Sequence, residues 1–208
     1  MPVRAELFRI VLRHGIEVEN ALEPTLEFLH AYPSTVAEEA SPTESFGEDD
    51  LRRANRGGAR ISAAEIAAVL ERKAEIERWL RGISPDSSLA GAARSIPWSA
   101  LSGLFEAFAG IRGIGLSKVT KTLHPKRPAL IPMLDSVVRA YLEKDDLGGS
   151  DSFREHATAL VRGYKDDLDR NRGPLRGLQR KLAGRGYQLT EVRILDILIW
   201  SVFADRAR

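Results

Sequence analysis

No cysteine occurs in the 208 residues. That excludes disulfides, a cysteine-ligated iron–sulfur cluster and a thiol nucleophile. Histidine is scarce too: His14, His30, His124 and His156 stand far apart, with no pair at the spacing of a zinc site. No stretch approaches the ~18 apolar residues that a membrane-spanning helix needs. The first residues carry no signal-peptide pattern, so no membrane partner is expected and the expected location is the cytoplasm. Charge of one sign is lacking overall, the net being only +2. Neither an internal repeat nor a convincing run of strand-type alternation is present. What remains is ordinary for a globular chain, 43% hydrophobic and 29% charged, long enough for one domain or two small ones with a substantial core.

The charge is uneven along the chain. Residues 111–127 hold Arg112, Lys118, Lys121, Lys126 and Arg127 with no acid, and a second basic run extends from Arg170 to Arg193. Acids gather at 38–50 and 143–151. Local basic clusters suit a polyanion such as DNA, and they equally suit the solvated face of a helix.

Apolar residues recur at helical spacing almost throughout. Val3, Leu7, Ile10 and Val11 predict a helix over 3–13; Leu22, Leu26 and Leu29 predict one over 21–31, with Pro24 in its first turn. Segment 32–47, rich in Pro, Ser, Thr and Glu, reads as a loop, and a short helix follows near 48–55. Ser62 and Glu65 form a capping box opening a helix to about Arg81, where Gly82 is suited to stop it in the left-handed conformation. Pro97 starts a helix carrying Trp98, Leu101, Leu104, Phe105 and Phe108. Further helices are expected at 116–124, 136–144, 152–169, 174–183 and 190–204. The reading is an all-α helical bundle in two lobes.

One stretch stands apart: "GIRGIGLSKVTKTLHPKRPALIPMLDSVVRAYL", residues 110–142. Gly113-Ile114-Gly115 between two helices permits a backbone bend closed to residues with side chains. The first amides of helix 116–124 then point outward at the positive end of its dipole, where a phosphate is the natural guest. Lys118 and Lys121 would add to the attraction, and Ile111 and Ile114 would pack inward.

This arrangement resembles the helix-hairpin-helix motif and following aspartate of the endonuclease III-type DNA glycosylase superfamily. "IRGIGLSKVTKTL" is similar to the hairpin, and "PALIPMLDSVVRAYL" to the segment carrying the aspartate; together they cover 104–142 strongly, with a weaker likeness in "ILDILIW". The phrases Leu-Ser-Lys-x-x-Lys and Lys-Arg-Pro also resemble those of a set of bacterial proteins with no assigned activity. The glycosylase resemblance implies a two-lobed fold with Asp135 in the cleft. It implies DNA gripped through Gly113, Ile114, Gly115, Ser117, Lys118 and Lys121, often with a monovalent cation at the hairpin backbone, 111–115. No other cofactor is implied. Val119 departs from the motif, which prefers alanine there, and residues 1–95 match nothing in the family.

Breaking an N-glycosidic bond passes through a transition state with cationic sugar character. A carboxylate beneath the sugar stabilises that charge and orients a water. The resemblance gives this role to Asp135, while its position alone makes it an N-cap of helix 136–144. Bifunctional members of the family carry a lysine two residues after the second hairpin glycine. Here that place is Ser117, which cannot form a Schiff base, so the implied activity is hydrolysis without strand cleavage. Trp98, Tyr141 and Trp200 are candidates for a base pocket or wedge, and each is also a candidate core residue. "HPKRP" offers Lys126 and Arg127 to a phosphate backbone, or to water. His124 is either a proton donor or a helix cap. Two other classes stay open: a non-catalytic DNA-binding protein using the same hairpin, and an interaction module in which it is only a turn.

Overall fold

In the computed structural model, residues 8–33, 44–144 and 152–204 are described. Among them the chain is all-α: α1 (Leu22–Ala31), α2 (Glu48–Arg56), α3 (Ala63–Leu70), α4 (Lys73–Arg81), α5 (Trp98–Glu106), α6 (Leu116–Leu123), α7 (Ser136–Glu143), α8 (Phe153–Arg170), α9 (Arg172–Ala183) and α10 (Glu191–Phe203). Every one of these helices sends apolar side chains into one continuous buried cluster. The central helices are α8, against which α5 lies, and α10, which packs on α1, α7 and α9; α4 lies on α5, and α2 on α6.

Several starts follow from local chemistry. Ser62 Oγ accepts the Glu65 amide and Glu65 Oε2 accepts the Ser62 amide, so the capping box at α3 is formed. Ser152 and Thr190 cap α8 and α10 through their hydroxyls. Gly103 on α5 lies flat against the Trp79 ring of α4, where a Cβ would overlap the indole. That is a packing reason for glycine in mid-helix.

Three expectations are corrected. The helix over 3–13 is absent from its described part. Instead β1 (Ile10–Val11) pairs antiparallel with β2 (Glu17–Val18) across a bend in which His14 and Gly15 both take positive φ. The overlooked signal is the alternation Phe8, Ile10, Leu12: all three are buried, with Arg9 and Val11 between them facing outward. The outer edge of β1 is satisfied by Asn171, whose side chain accepts the Val11 amide and donates to the Val11 carbonyl. Residues 3–7 of that expected helix, and 34–43 of the expected loop, lie outside the described residues.

The helix expected over 62–81 is two helices, because Arg72 leaves the helical region at φ −94°, ψ 6°. Gly82 is not left-handed: its φ is −75°. The end of α4 is closed from a distance instead. The Arg127 guanidinium donates to the carbonyls of Leu80 and Ile83, placing a cation at the negative end of the helix.

Candidate functional site

The bend between α5 and α6 is built by glycine backbone. Gly110 and Gly113 have φ of +73° and +81°, and the Ile114 amide donates to the Ile111 carbonyl at 3.1 Å, closing a turn whose third residue is Gly113. A positive φ at that place is what a type II turn demands. Ile114 is buried beneath the bend, while Arg112, Gly113 and Gly115 face solvent. Gly115 is the N-cap of α6 and brings no side chain to its first amides, which stay open at the positive end of the dipole.

The basic residues are placed very differently from one another. Lys121 reaches along the surface, 3.2 Å from the Gly57 carbonyl. Lys118 does not project freely: its Nζ lies 2.8 Å from both carboxylate oxygens of Glu65, in a pair whose side chains are 22% and 16% exposed. Hydrogen bonding from Lys118 holds the Glu65 carboxyl below its usual pKa. That carboxylate also covers Gly113, on the side where any Cβ would point. The Ile111 carbonyl accepts the Ile114 amide, and the Lys118 ammonium and Arg112 lie at the bend.

Lys126 and Arg127 are not phosphate contacts, which corrects the expectation drawn from "HPKRP". Both are buried. Lys126 Nζ pairs with Asp50 Oδ1 at 2.7 Å and donates to the Ser45 carbonyl at 2.7 Å; burial pulls its pKa down against the pull of Asp50. Arg127, fully buried, binds the backbone carbonyls of Leu80, Ile83 and Lys126. The segment is an internal tie between α6, α4 and α2.

Asp135 is the N-cap of α7, as its position suggests. Its Oδ1 accepts the amides of Val137 and Val138, each at 3.0 Å. Its Oδ2 has no hydrogen-bond partner among the described residues, and the residue is half-buried rather than enclosed. The loop leading to it is pinned at three points that the sequence reading did not find. The Leu134 amide donates to Thr120 Oγ1 at 3.0 Å, and that hydroxyl donates to the Leu116 carbonyl. His124 Nδ1, facing the Ile131 carbonyl at 2.6 Å, must carry the proton, since a carbonyl only accepts. The Met133 amide donates to Asp196 Oδ2 at 3.2 Å. Thr120 on α6 and His124, its C-cap, are one turn apart, a spacing visible in the sequence. Asp135 is thus fixed to the same helix that begins at the glycine bend. His124 is buried and serves to hold this loop.

Asp196 is buried, and its Oδ1 has no hydrogen-bond partner. Burial pushes its pKa up to about 6, against the lowering influence of His124, Arg193, the Met133 amide and Tyr164. A folded-state pKa above the unfolded ~3.9 means that the folded state holds the proton more tightly. Its stabilising effect is therefore full below about pH 4, declines between about pH 4 and 6, and is gone above that, for a total of up to about 3 kcal/mol. Asp196→Asn mimics the protonated carboxyl while keeping an acceptor for Met133. The variant is expected to match wild type near pH 4 and to melt higher than wild type at pH 7. Thermal melts across that range check this; a difference that does not change with pH would contradict it.

The aromatic candidates are dispersed. Tyr141 is buried, its hydroxyl accepting the Arg13 amide at 2.8 Å and donating to Asp167 Oδ2 at 3.0 Å, so it is not a wedge. Trp98 is half-buried with the Arg162 guanidinium 4.2 Å from its ring centroid. Trp200 meets Phe28 and Tyr32 edge-on, at 5.3 and 5.5 Å. Ser117 sits half-buried in the first turn of α6. A surface cavity of about 200 Å³ between α4 and α5 and an open groove of about 410 Å³ beside α2 and α3 are lined by other residues, and neither includes Asp135. Among the described residues no three His, Asp or Glu side chains gather as a metal site, and no helix is long and apolar enough to cross a membrane.

Comparison with known proteins finds no matching curated protein and no matching solved structure. One family model matches, over residues 31–202, a span that includes α2 to α9 and most of α10, with the bend, Glu65, Thr120, Asp135 and Asp196. The chain belongs to the family of unknown function DUF6308.

Proposed function

We propose that this protein is a DNA glycosylase-like hydrolase that removes a damaged or modified base without cutting the strand. The observation that carries the reading is the state of Asp135: one oxygen is committed to capping α7, the other has no partner, and its loop is bonded to α6. A carboxylate held by its cap has a fixed position and keeps a free oxygen for chemistry. With a target nucleotide extruded from its stack, Oδ2 would lie beneath the deoxyribose, stabilise the cationic sugar and orient a water. The C1′–N bond breaks, the water oxygen bonds to C1′, and its proton leaves as the departing base is protonated. The bend holds a flanking phosphate with the open amides of α6, and Lys121 adds charge from the exposed face. Ser117 offers no amine, so no covalent imine forms and the product is an abasic site.

A second reading is favoured by the same cap. Asp135 is fully explained as an N-cap, and the bend alone would serve a non-catalytic protein that grips DNA. The two separate when the protein is incubated with duplexes that each carry one modified base. Free base and alkali-labile sites are expected from the hydrolase; salt-sensitive binding with no base released would leave only the grip.

A further inference from the structure

Glu65 has a place that the chemistry of the bend does not require of it. Its carboxylate lies over Gly113, beside the uncapped first turn of α6, where an anion is favoured. It holds both of its oxygens on Lys118 Nζ and one on the Ser62 amide. Fifty-three residues separate Glu65 from Lys118, so the pair is a tertiary contact and not a by-product of helix spacing. Because Ser62 fixes the carboxylate from its own helix, Glu65 cannot swing away without breaking the capping box.

We propose that Glu65 is an internal counter-charge at the bend, a carboxylate from which the phosphate of a nucleic-acid strand must take Lys118. The proposal rests on the reading of the bend as a DNA grip and adds how that grip is held closed. In the free protein Lys118 is neutralised and the bend already has its negative charge. When a strand arrives, Lys118 exchanges Glu65 for phosphate, and the carboxylate, left behind, repels the newcomer. Weak nonspecific contacts are thereby suppressed, and binding is reserved for strands whose further contacts outweigh the displaced pair.

Glu65→Gln tests this cleanly. Glutamine serves a capping box as well as glutamate does, so the acceptor for the Ser62 amide is kept while the charge is lost. Binding of a fluorescein-labelled duplex to the full chain is followed by anisotropy over a salt series. The variant is expected to bind about tenfold more tightly, the scale of one like-charge contact near a protein surface. Its dependence of log K on log salt should steepen by up to about 0.9, because the bend then presents one more net positive charge to the strand. The gain should vanish in Glu65→Gln/Lys118→Ala, and the melting temperature reports that the fold is kept. Equal or weaker binding by Glu65→Gln, with wild type binding normally, overturns the proposal alone. Absence of binding by both proteins at low salt overturns the DNA reading and the proposal with it.

Discussion

Asp135→Asn is expected to reduce base release by at least about a hundredfold while leaving the melting temperature close to that of wild type. Asparagine caps a helix as well as aspartate does, so the bonds now made by Oδ1 to Val137 and Val138 are retained by the amide oxygen. What is lost is the negative charge and the acceptor capacity of Oδ2. Capping and the proposed catalysis, both assigned to one side chain, are thereby separated. Binding of intact duplex should be unchanged or tighter, since a carboxylate facing a polyanion has been neutralised. Release that persists in the variant would assign Asp135 to the cap alone. Asp135→Ala is less informative, because it removes the cap as well, at about 1 kcal/mol.

Lys126→Met is expected to destabilise the fold by about 3–5 kcal/mol, the cost of breaking a buried ion pair from one side. Lys126 is 1% exposed and Asp50 10%, so neither group can turn to water when its partner is removed. Methionine fills the volume of the lysine stem, leaving electrostatics as the main change. The Ser45 carbonyl loses a donor, and Asp50 is left charged beside it. The loss is large against the ~5–15 kcal/mol of an ordinary domain. Adding Asp50→Asn should recover part of it: the carboxylate charge beside the lost ammonium goes, while an acceptor remains for the Gly47 amide at the start of α2. Denaturant titration of the three variants measures this. A loss under about 1 kcal/mol in Lys126→Met would mean that the ammonium is solvated and free to meet DNA, as "HPKRP" first suggested.

Legibility from sequence divides along the range of the interaction. Ser62 with Glu65, and Asp135 with Val137 and Val138, are bonds between near neighbours, and residue type at fixed spacing is enough to place them. The helical class and most helix bounds come from the same local source, and the glycine bend is read correctly at Gly113, while its second left-handed glycine is Gly110 and not Gly115, whose φ of −104° any residue adopts. Lys118, Lys126 and Arg127 were hidden for the opposite reason. A lysine in a basic run looks the same whether it faces water or Glu65, Asp50 and Ser45, and those partners are 53, 76 and 81 residues away. Arg127 binds carbonyls, which every residue has, so no side chain announces its site. The N-terminal hairpin failed differently. Ile10 and Val11 fit a helical spacing, but Phe8, Ile10 and Leu12 fit an alternating one, and tertiary burial beside Asn171 selects the second. Asp196 lies inside the apolar run "ILDILIW", and nothing local marks it as the residue that holds the Met133 amide.

Cleavage of the bond between base and sugar by a carboxylate tied to a glycine bend is put to the test by what wild-type protein does to duplexes with a single altered base. Free base is expected to accumulate, with the strand intact until alkali is added and no borohydride-trapped adduct, because Ser117 stands where an amine nucleophile would be needed. A protein that binds every duplex in the panel and frees no base would contradict it, as would strand scission without alkali.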